Sequence, residues 1–435
     1  MTFRKLRGCA LAFALALGIA AAPVAKAQTD TTKAIIVAPV VTEPEVKAQA
    51  PAVATETAKK KAWYEIISIR GYAQIRYNRL LETNPDLKCD QCDRSLGDNG
   101  GFFIRRARLI FSGNVHDRVF IYIQPDISSS SSSTSLNFFQ IRDAYFDVAL
   151  DKDKEYRVRI GQSKIPYGFE NLQSSSNRLT LDRNDALNSA IANERDLGVF
   201  FYYAPAEIRK RFEELTSLGL KGSGDYGVFG IGLYNGQTAN RPEANDELHA
   251  VARVSYPFKL NNGQFIEPGL QAYTGKYVIT PDQLSSGVKI ATEKQQIDGF
   301  DDRRIAATLM IYPQPLGLQA EYNIGEGPEY DPATNSIQVK DLQGGYAQLM
   351  YMKKIGNQTL IPFVKLQYYD GGKKHERDAP SHLVYQTEIG AEWLIVRNLE
   401  LTALYSIEDR TVRNAQNPFN RQHGNRLRLQ AQFNF

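Results

Sequence analysis

The sequence predicts an all-β fold: a transmembrane antiparallel β-barrel of about 16 strands, with one loop folded inward as a constriction loop. Apolar and polar residues alternate along many segments, these segments often reach ten residues, and short connections alternate with long ones. A tilted strand crosses a bilayer with about 9–11 residues, more than the usual soluble strand has. Beyond its N-terminus the 435-residue chain has no apolar run of about 18 residues, which excludes a helical membrane protein.

The first 27 residues predict a signal peptide. Three basic residues within the first seven precede an apolar stretch over 9–22, and an Ala-x-Ala motif ends at Ala27. A buried N-terminal helix is the alternative. Removal of residues 1–27 lowers Lys and Arg from 52 to 48, against 48 Asp and Glu, so the mature chain is neutral. A neutral chain gives no electrostatic argument for nucleic-acid binding.

Residues 28–61 differ in composition from the rest of the chain. They are rich in Ala, Pro, Val, Thr and Lys, and they contain neither glycine nor an aromatic residue. This composition is typical of a flexible linker rather than of a packed domain. Aromatic residues begin at Trp63 and continue to Phe435. We therefore expect a flexible periplasmic tether, followed by an outer-membrane barrel domain at 62–435.

The barrel strands are predicted from alternation with a period of two. Ile69 and Ile75 share one face of the first strand, while Arg70 and Arg76 share the other. An even number of strands places both termini on the periplasmic side, and about 16 strands leave a water-filled lumen. The predicted strands are 63–79, 101–113, 117–126, 137–149, 155–163, 196–204, 225–236, 247–257, 265–276, 303–312, 316–325, 340–354, 358–370, 383–397, 398–408 and 424–435.

The polar faces of these strands would line the lumen, and many of them carry arginine. Because the first and last strands must pair to close the barrel, several arginines would form one basic wall that selects permeants by charge. In the alternative, these arginines are solvated and paired with neighbouring glutamates, without selectivity. Arg105 breaks the alternation, and we expect it at the interfacial rim or in a cross-strand pair. The predicted pore-lining basic residues are Arg70, Arg76, Arg106, Arg108, Arg157, Arg159, Arg253, Arg426 and Arg428.

The longest outer connection, 165–196, predicts the inward-folded constriction loop. Its middle, 182–192, has a helix-like composition. An ordinary surface lid is the alternative. The candidate constriction residues of this loop and its flanks are Lys164, Arg178, Arg183 and Arg195.

Cys89 and Cys92 lie in the first outer loop. In an exported protein, two cysteines this close predict a local disulfide. A metal site would need further cysteine or histidine ligands, and no histidine is near in sequence, so we expect no metal. The sequence contains no nucleophile–histidine arrangement and no cofactor motif with the right context. We therefore expect no catalytic residues and no cofactor.

Three stretches of the sequence resemble the phosphate-selective porin O and P family. They are FFIRRARL from Phe102, GQSKIPYGFE from Gly161, and RDLGV from Arg195 followed by GLYNG from Gly232. They occur in the family's order, and the resemblance covers about residues 62–435. It implies a sixteen-stranded, usually trimeric channel that admits anions such as phosphate or polyphosphate. The arginines similar to the family's arginine ladder are Arg105, Arg106 and Arg108.

The sequence therefore predicts a porin in the outer membrane of a Gram-negative bacterium, a multi-pass β-barrel that is not an enzyme. Small hydrophilic solutes would diffuse through it passively, with a preference for anions such as phosphate. The expected partners are outer-membrane lipid, small anions, further copies of the chain in a homotrimer, and the barrel assembly machinery through the C-terminal Phe435. A surface-binding or adhesive barrel and a barrel hydrolase are the alternatives.

Overall fold

The computed structural model describes residues 63–87, 100–129, 137–192 and 194–435. The predicted signal peptide, the predicted tether and the loop with Cys89 and Cys92 lie outside these residues. Among the described residues, no helix is long and apolar enough to cross a membrane.

All strands of the described chain belong to one sheet. They are β1 (Ser68–Leu80), β2 (Phe102–His116), β3 (Val119–Ser129), β4 (Asn137–Ala149), β5 (Tyr156–Lys164), β6 (Arg195–Tyr203), β7 (Phe229–Tyr234), β8 (His249–Ser255), β9 (Phe258–Lys259), β10 (Phe265–Tyr277), β11 (Lys289–Ile290), β12 (Phe300–Ile311), β13 (Leu316–Asp331), β14 (Ser336–Tyr351), β15 (Lys353–Ile355), β16 (Gln358–Gly372), β17 (Ser381–Val396), β18 (Leu399–Arg413) and β19 (Asn420–Asn434). A single helical turn, α1 (Trp63–Ile66), precedes β1.

Sixteen of these strands form a closed antiparallel barrel, which confirms the predicted fold and strand number. The other three, β9, β11 and β15, have only two or three residues each. β1 pairs with β2 on one side and with β19 on the other, with Tyr72 opposite Asn434. The first and last strands thus close the sheet, so the barrel has no free edge.

The two ends of the barrel differ in the length of their connections. At one end, strands are joined by turns such as 117–118 and 397–398. The C-terminus lies there too, where Gly71 and Phe435 exchange backbone hydrogen bonds of 2.8 and 3.0 Å. Short turns mark the periplasmic end of an outer-membrane barrel, so this end is periplasmic and the longer loops lie outside.

Side chains alternate between the two faces of the barrel, as predicted. On β12, Ile305 is exposed on the outer face, whereas the neighbouring Arg304 is buried inside. On β19, Phe433 is exposed outside, and Arg428 is buried inside. The outer face can therefore meet acyl chains while the inner face carries the charges.

The connection between β5 and β6 folds into the lumen, as predicted. This connection, 165–194, is called the constriction loop below, and it contains α2 (Phe169–Leu172) and α3 (Asp185–Ala190). The Asn184 side chain caps α3 by accepting a hydrogen bond of 3.0 Å from the Leu187 amide. Every residue of α3 is buried, so the helix lies inside the barrel rather than above it.

The connection between β6 and β7 contains a helix that sequence analysis did not predict. This periplasmic segment, 204–228, carries α4 (Ala206–Ser217). Gly219 follows the C-cap residue Leu218, and its φ of 69° is the left-handed conformation that favours glycine. The Leu220 amide donates to the Leu215 carbonyl at 3.1 Å, which completes a Schellman motif.

The apolar residues of α4 follow the period of a helix rather than that of a strand. Ile208, Phe212 and Leu215 are all buried, and their spacings of four and three residues place them on one stripe. The sequence analysis relied on a period of two and therefore missed them. Another short helix, α5 (Glu293–Asp298), lies in an outer loop.

Candidate functional site

The constriction loop and strands β2–β4 enclose a cavity of about 60 Å³, called the arginine cavity below. Among the described residues, six arginines and two carboxylates line it. The charged lining residues are Arg105, Arg106, Arg108, Arg142, Arg178, Arg183, Asp182 and Glu194. The excess of arginine makes the cavity electropositive.

Two β-bulges add arginines to this wall. Gln74 on β1 pairs with Arg106, but the next residue pairs with Ile104, so Arg105 is the extra residue of a bulge. Arg142 is skipped in the same way between β3 and β4. Both extra side chains turn inward and line the arginine cavity. The expectation of a rim or cross-strand position for Arg105 was wrong, because the bulge resets the alternation.

Asp182 of the constriction loop binds three arginines of the barrel wall. Its carboxylate lies 2.6 Å from Arg428, 3.2 Å from Arg76 and 3.7 Å from Arg105. Burial alone would raise the pKa of Asp182, but Arg76, Arg428 and Arg105 together hold it below its usual range. Asp182 is therefore an anion at neutral pH and joins the loop to β1, β2 and β19.

Glu194 binds a second group of arginines at the other end of the loop. Its carboxylate lies 3.3 Å from Arg183, 3.5 Å from Arg178 and 3.6 Å from Arg142, and it also pairs with Arg195. Burial would raise the pKa of Glu194, but the charges of Arg183, Arg195 and Arg178 lower it well below its usual value. Two of these four arginines have a further acidic partner, since Arg195 also pairs with Asp143 and Arg142 with Asp126.

Arg106 has no acidic partner among the residues that the structure describes. The side chain is 4% exposed, and its Nε and Nη1 atoms are buried without a hydrogen-bond partner. Arg105, Arg108 and Arg178 line the same cavity. An uncompensated buried charge is strongly destabilising, so an anion in this cavity would lower the free energy of the folded channel.

Arg426 and Arg428 of the last strand lie on the other side of the constriction loop and are paired with acids. Arg426 donates two hydrogen bonds to Glu408, at 2.9 and 3.1 Å. Arg428 reaches Glu388 at 2.8 Å as well as Asp182. Both line a second cavity of about 10 Å³, whose volume admits little more than one water molecule.

Five predicted pore-lining arginines line neither cavity: Arg70, Arg76, Arg157, Arg159 and Arg253. Of these, Arg76 binds Asp182 of the constriction loop. Arg159 donates to both oxygens of Asp147, at 2.7 and 2.9 Å, and lies 3.9 Å from the centre of the Tyr145 ring. Arg157 pairs with Asp225 of the periplasmic segment at 2.7 Å, whereas Arg70 is exposed. The structure thus brings together only Arg76, Arg106, Arg108, Arg426 and Arg428 around the constriction loop.

The four candidate residues of the constriction loop and its flanks divide into two pairs. Arg178 and Arg183 line the arginine cavity. Burial lowers the pKa of Arg183 to about 10, so its guanidinium is still charged at neutral pH. Lys164 donates to the carbonyls of Leu172 and Gln173, at 3.0 and 2.6 Å, and Arg195 binds Asp143 at 2.9 Å. These two residues anchor the ends of the loop.

The contacts that hold α3 were not predicted from the sequence. Asp185, at its first turn, lies 2.5 Å from Lys373 and 3.1 Å from Arg410. Arg304 donates to the Ser189 hydroxyl at 2.6 Å and to the Ser189 carbonyl at 3.1 Å. Burial would raise the pKa of Asp185, but Arg410 and Lys373 lower it below its usual range. These partners come from distant strands and loops, so their meeting depends on the path of the loop.

Comparison with known proteins gives the chain its family. The family model for phosphate-selective porin O and P matches residues 81–435. The outer membrane channel DcaP of Acinetobacter baumannii is 15% identical, with 85% of this chain and 97% of that chain covered and a TM-score of 0.51. OmpF of Salmonella typhi, solved in complex with daunomycin, is 12% identical, with the same coverage and a TM-score of 0.52. No curated protein sequence matches. The chain therefore belongs to the phosphate-selective porin O and P family and is an outer-membrane porin.

Proposed function

We propose that this porin prefers anions and that the arginine cavity is its selectivity site. The observation that carries the proposal is Arg106, a buried guanidinium with no acidic partner among the described residues. Five further arginines and two carboxylates line the same cavity. A permeating anion gains Coulomb energy there, whereas a cation meets a positive wall in a low-dielectric environment.

The size of the cavity favours a compact anion. About 60 Å³ of cavity volume accommodates roughly four to six water molecules. A small tetrahedral oxyanion such as phosphate fits this space and can accept hydrogen bonds from several guanidinium groups at once. A larger solute would have to displace the constriction loop. We therefore assign phosphate and anions of similar size as the preferred permeants.

The test is the zero-current potential of single channels in planar bilayers. With a potassium chloride gradient across the bilayer, we expect the sign that corresponds to chloride permeation. Replacing chloride with phosphate should retain that sign and lower the conductance, because a divalent oxyanion stays longer at the arginines. A zero-current potential of the opposite sign, which means cation preference, would overturn the proposal.

The proposal also covers cleavage of the signal peptide, the disulfide of the first outer loop and the assembly of the chain into a trimer. We expect cleavage after Ala27, with 28–61 as a periplasmic tether, which mass spectrometry of protein from outer membranes would detect as a chain beginning at Gln28. The same spectrum, before and after reduction, reports whether Cys89 and Cys92 form a disulfide. We also expect a homotrimer, as the family resemblance implies, and light scattering in detergent measures its mass. A chain that retains residue 1, or a monomer, would contradict these expectations.

A further inference from the structure

The periplasmic segment forms a floor beneath the constriction loop. Its buried apolar residues belong to a cluster that also contains residues of the loop and of the barrel wall with its turns. The segment contributes Ile208, Phe212, Leu215 and Leu220, and the loop contributes Phe169, Leu179 and Leu181. The wall and turns contribute Phe265, Met310, Tyr312, Met350, Met352, Ile361, Phe363 and Leu404. The loop thus rests on an apolar core inside the barrel.

This core explains why part of the inner wall is apolar. Met310, Met350 and Phe363 point into the barrel and are at most 3% exposed. Inward-facing residues of a porin normally meet water and are polar. Here α4 covers them on the periplasmic side and the constriction loop covers them from above, so burial favours apolar side chains.

Two hydrogen bonds join the constriction loop to the periplasmic segment. Gln173 donates through Nε2 to the Lys221 carbonyl at 2.5 Å, and Asn177 donates through Nδ2 to the Gly222 carbonyl at 2.8 Å. Lys221 itself is buried and forms an ion pair with Glu392 of the wall. Backbone groups of the segment therefore fix two side chains of the loop.

The far end of the segment is held by the barrel. Asp225 pairs with Arg157 at 2.7 Å and with Arg209 of α4 at 3.0 Å. Arg253 donates to the Gly227 carbonyl at 2.8 Å. Two arginines that the sequence assigned to the pore wall thus anchor the floor.

We infer that the periplasmic segment positions the constriction loop and thereby sets the width of the channel from the periplasmic side. The loop carries Arg178 and Arg183 into the arginine cavity, and its residues Phe169, Leu179 and Leu181 pack in this core. The apolar residues of α3 and of the start of the loop pack against the barrel wall instead, in a separate cluster. Disrupting the apolar core removes the contacts of the constriction loop with the periplasmic segment, while the arginines of the barrel wall stay in place. The inference rests on the family's channel activity and is independent of the anion preference.

The experiment measures which neutral solutes pass when the core is broken. Leu215→Asp places a carboxylate in the core, where Leu215 is 1% exposed. Liposomes containing the purified variant are tested for swelling in neutral sugars of increasing size, and its single-channel conductance is recorded. We expect admission of larger sugars and a conductance at least roughly two-fold higher, because the loop no longer fills the lumen.

The matched control is Leu218→Asp, three residues further along the chain at the C-cap of α4, where Leu218 is 47% exposed. This variant should keep the wild-type exclusion limit. An assembled Leu215→Asp barrel with wild-type exclusion limit and conductance would overturn the inference. If Leu215→Asp does not assemble, the inference is tested with Gln173→Ala, which removes the hydrogen bond to the Lys221 carbonyl. Gln296→Ala, at an exposed position, is the control for this variant. Gln173→Ala should raise the conductance, and an unchanged conductance would overturn the inference. Neutral sugars carry no charge, so this outcome does not depend on the anion preference.

Discussion

The two faces of the constriction loop meet different surroundings inside one barrel. On one face, Asp182 and Glu194 bind guanidinium groups of the wall, and the adjoining cavity is lined by arginine. On the other face, Leu179 and Leu181 pack into an apolar core above α4. In our proposal the charged face provides a path for anions, and the apolar face determines where that path lies. The comparison teaches that the inner wall of this porin is apolar where it packs in the core above α4 and charged where it meets the acidic residues of the loop.

Removing the Glu194 carboxylate should have the largest effect, because it breaks the charged face at its most connected point. In Glu194→Gln, Arg142, Arg178 and Arg183 lose their shared anion, and breaking a buried ion pair costs about 3–5 kcal/mol. We expect the loop to become sensitive to protease and the conductance to rise, while anion preference is kept. The exposed Glu207→Gln on α4 is the control. Wild-type protease resistance in Glu194→Gln would contradict the role of this carboxylate.

Truncating a residue of the periplasmic segment in the apolar core should lower stability without changing selectivity. Leu220 is 4% exposed, and Leu220→Ala should lower the free energy of unfolding by about 2 kcal/mol, near the lower end for buried leucine. Leu218→Ala, at an exposed position, should change it by less than about 0.5 kcal/mol. Urea unfolding in lipid vesicles measures both. Equal losses in the two variants would show that the core does not support the fold.

Neutralising Arg106 should change selectivity more than stability, in contrast to Leu220→Ala. In Arg106→Gln we expect the ratio of anion to cation permeability to fall about five-fold, or about 1 kcal/mol, because the site loses its unneutralised charge. Arg70→Gln, at an exposed position, tests whether the loss of any lumen arginine lowers the permeability ratio equally. Equal falls in the two variants would mean that selectivity is a diffuse property of the wall rather than of the cavity.

Mild acid should have the smallest effect. The pKa values of Asp182 and Glu194 are held below the usual range of a carboxyl group by the arginines that outweigh their burial. A carboxylate with a lowered folded-state pKa stabilises the fold above its unfolded pKa near 4, and this contribution declines only as the pH falls further. We therefore expect the ion pairs of Asp182 and Glu194 to hold the loop from pH 7 to about 5, and the loop to become sensitive to protease below about pH 3. A transition centred between pH 5 and 7 that disappears in Asp182→Asn or Glu194→Gln would contradict this assignment.

The strands could be predicted from the sequence because lipid and water act on alternate residues of each strand. The bulges could not, since one extra residue such as Arg105 or Arg142 leaves the flanking alternation intact and only shifts its phase. The helix α4 was predictable in principle from its helical apolar spacing and from Gly219, which a search for period two does not detect.

The partners of the charged face depend on positions that no local pattern encodes. Asp182 meets Arg76 and Arg428 because barrel closure brings β1 beside β19 and because the loop enters the lumen at that point. The sequence analysis predicted the closure and the inward fold, but not the path of the loop. The arginines were therefore predicted on the right strands, with neighbouring glutamates as alternative partners, but their shared contact with Asp182 was not predicted.

The most direct test of the central claim is anomalous scattering from crystals of the porin soaked in selenate, a tetrahedral oxyanion. We expect a selenium peak in the arginine cavity, with its oxygens at about 2.7–2.9 Å from guanidinium nitrogens that include those of Arg106. Selenate peaks confined to the outer surface of the protein, with a side-chain carboxylate of the chain beside Arg106, would contradict the claim.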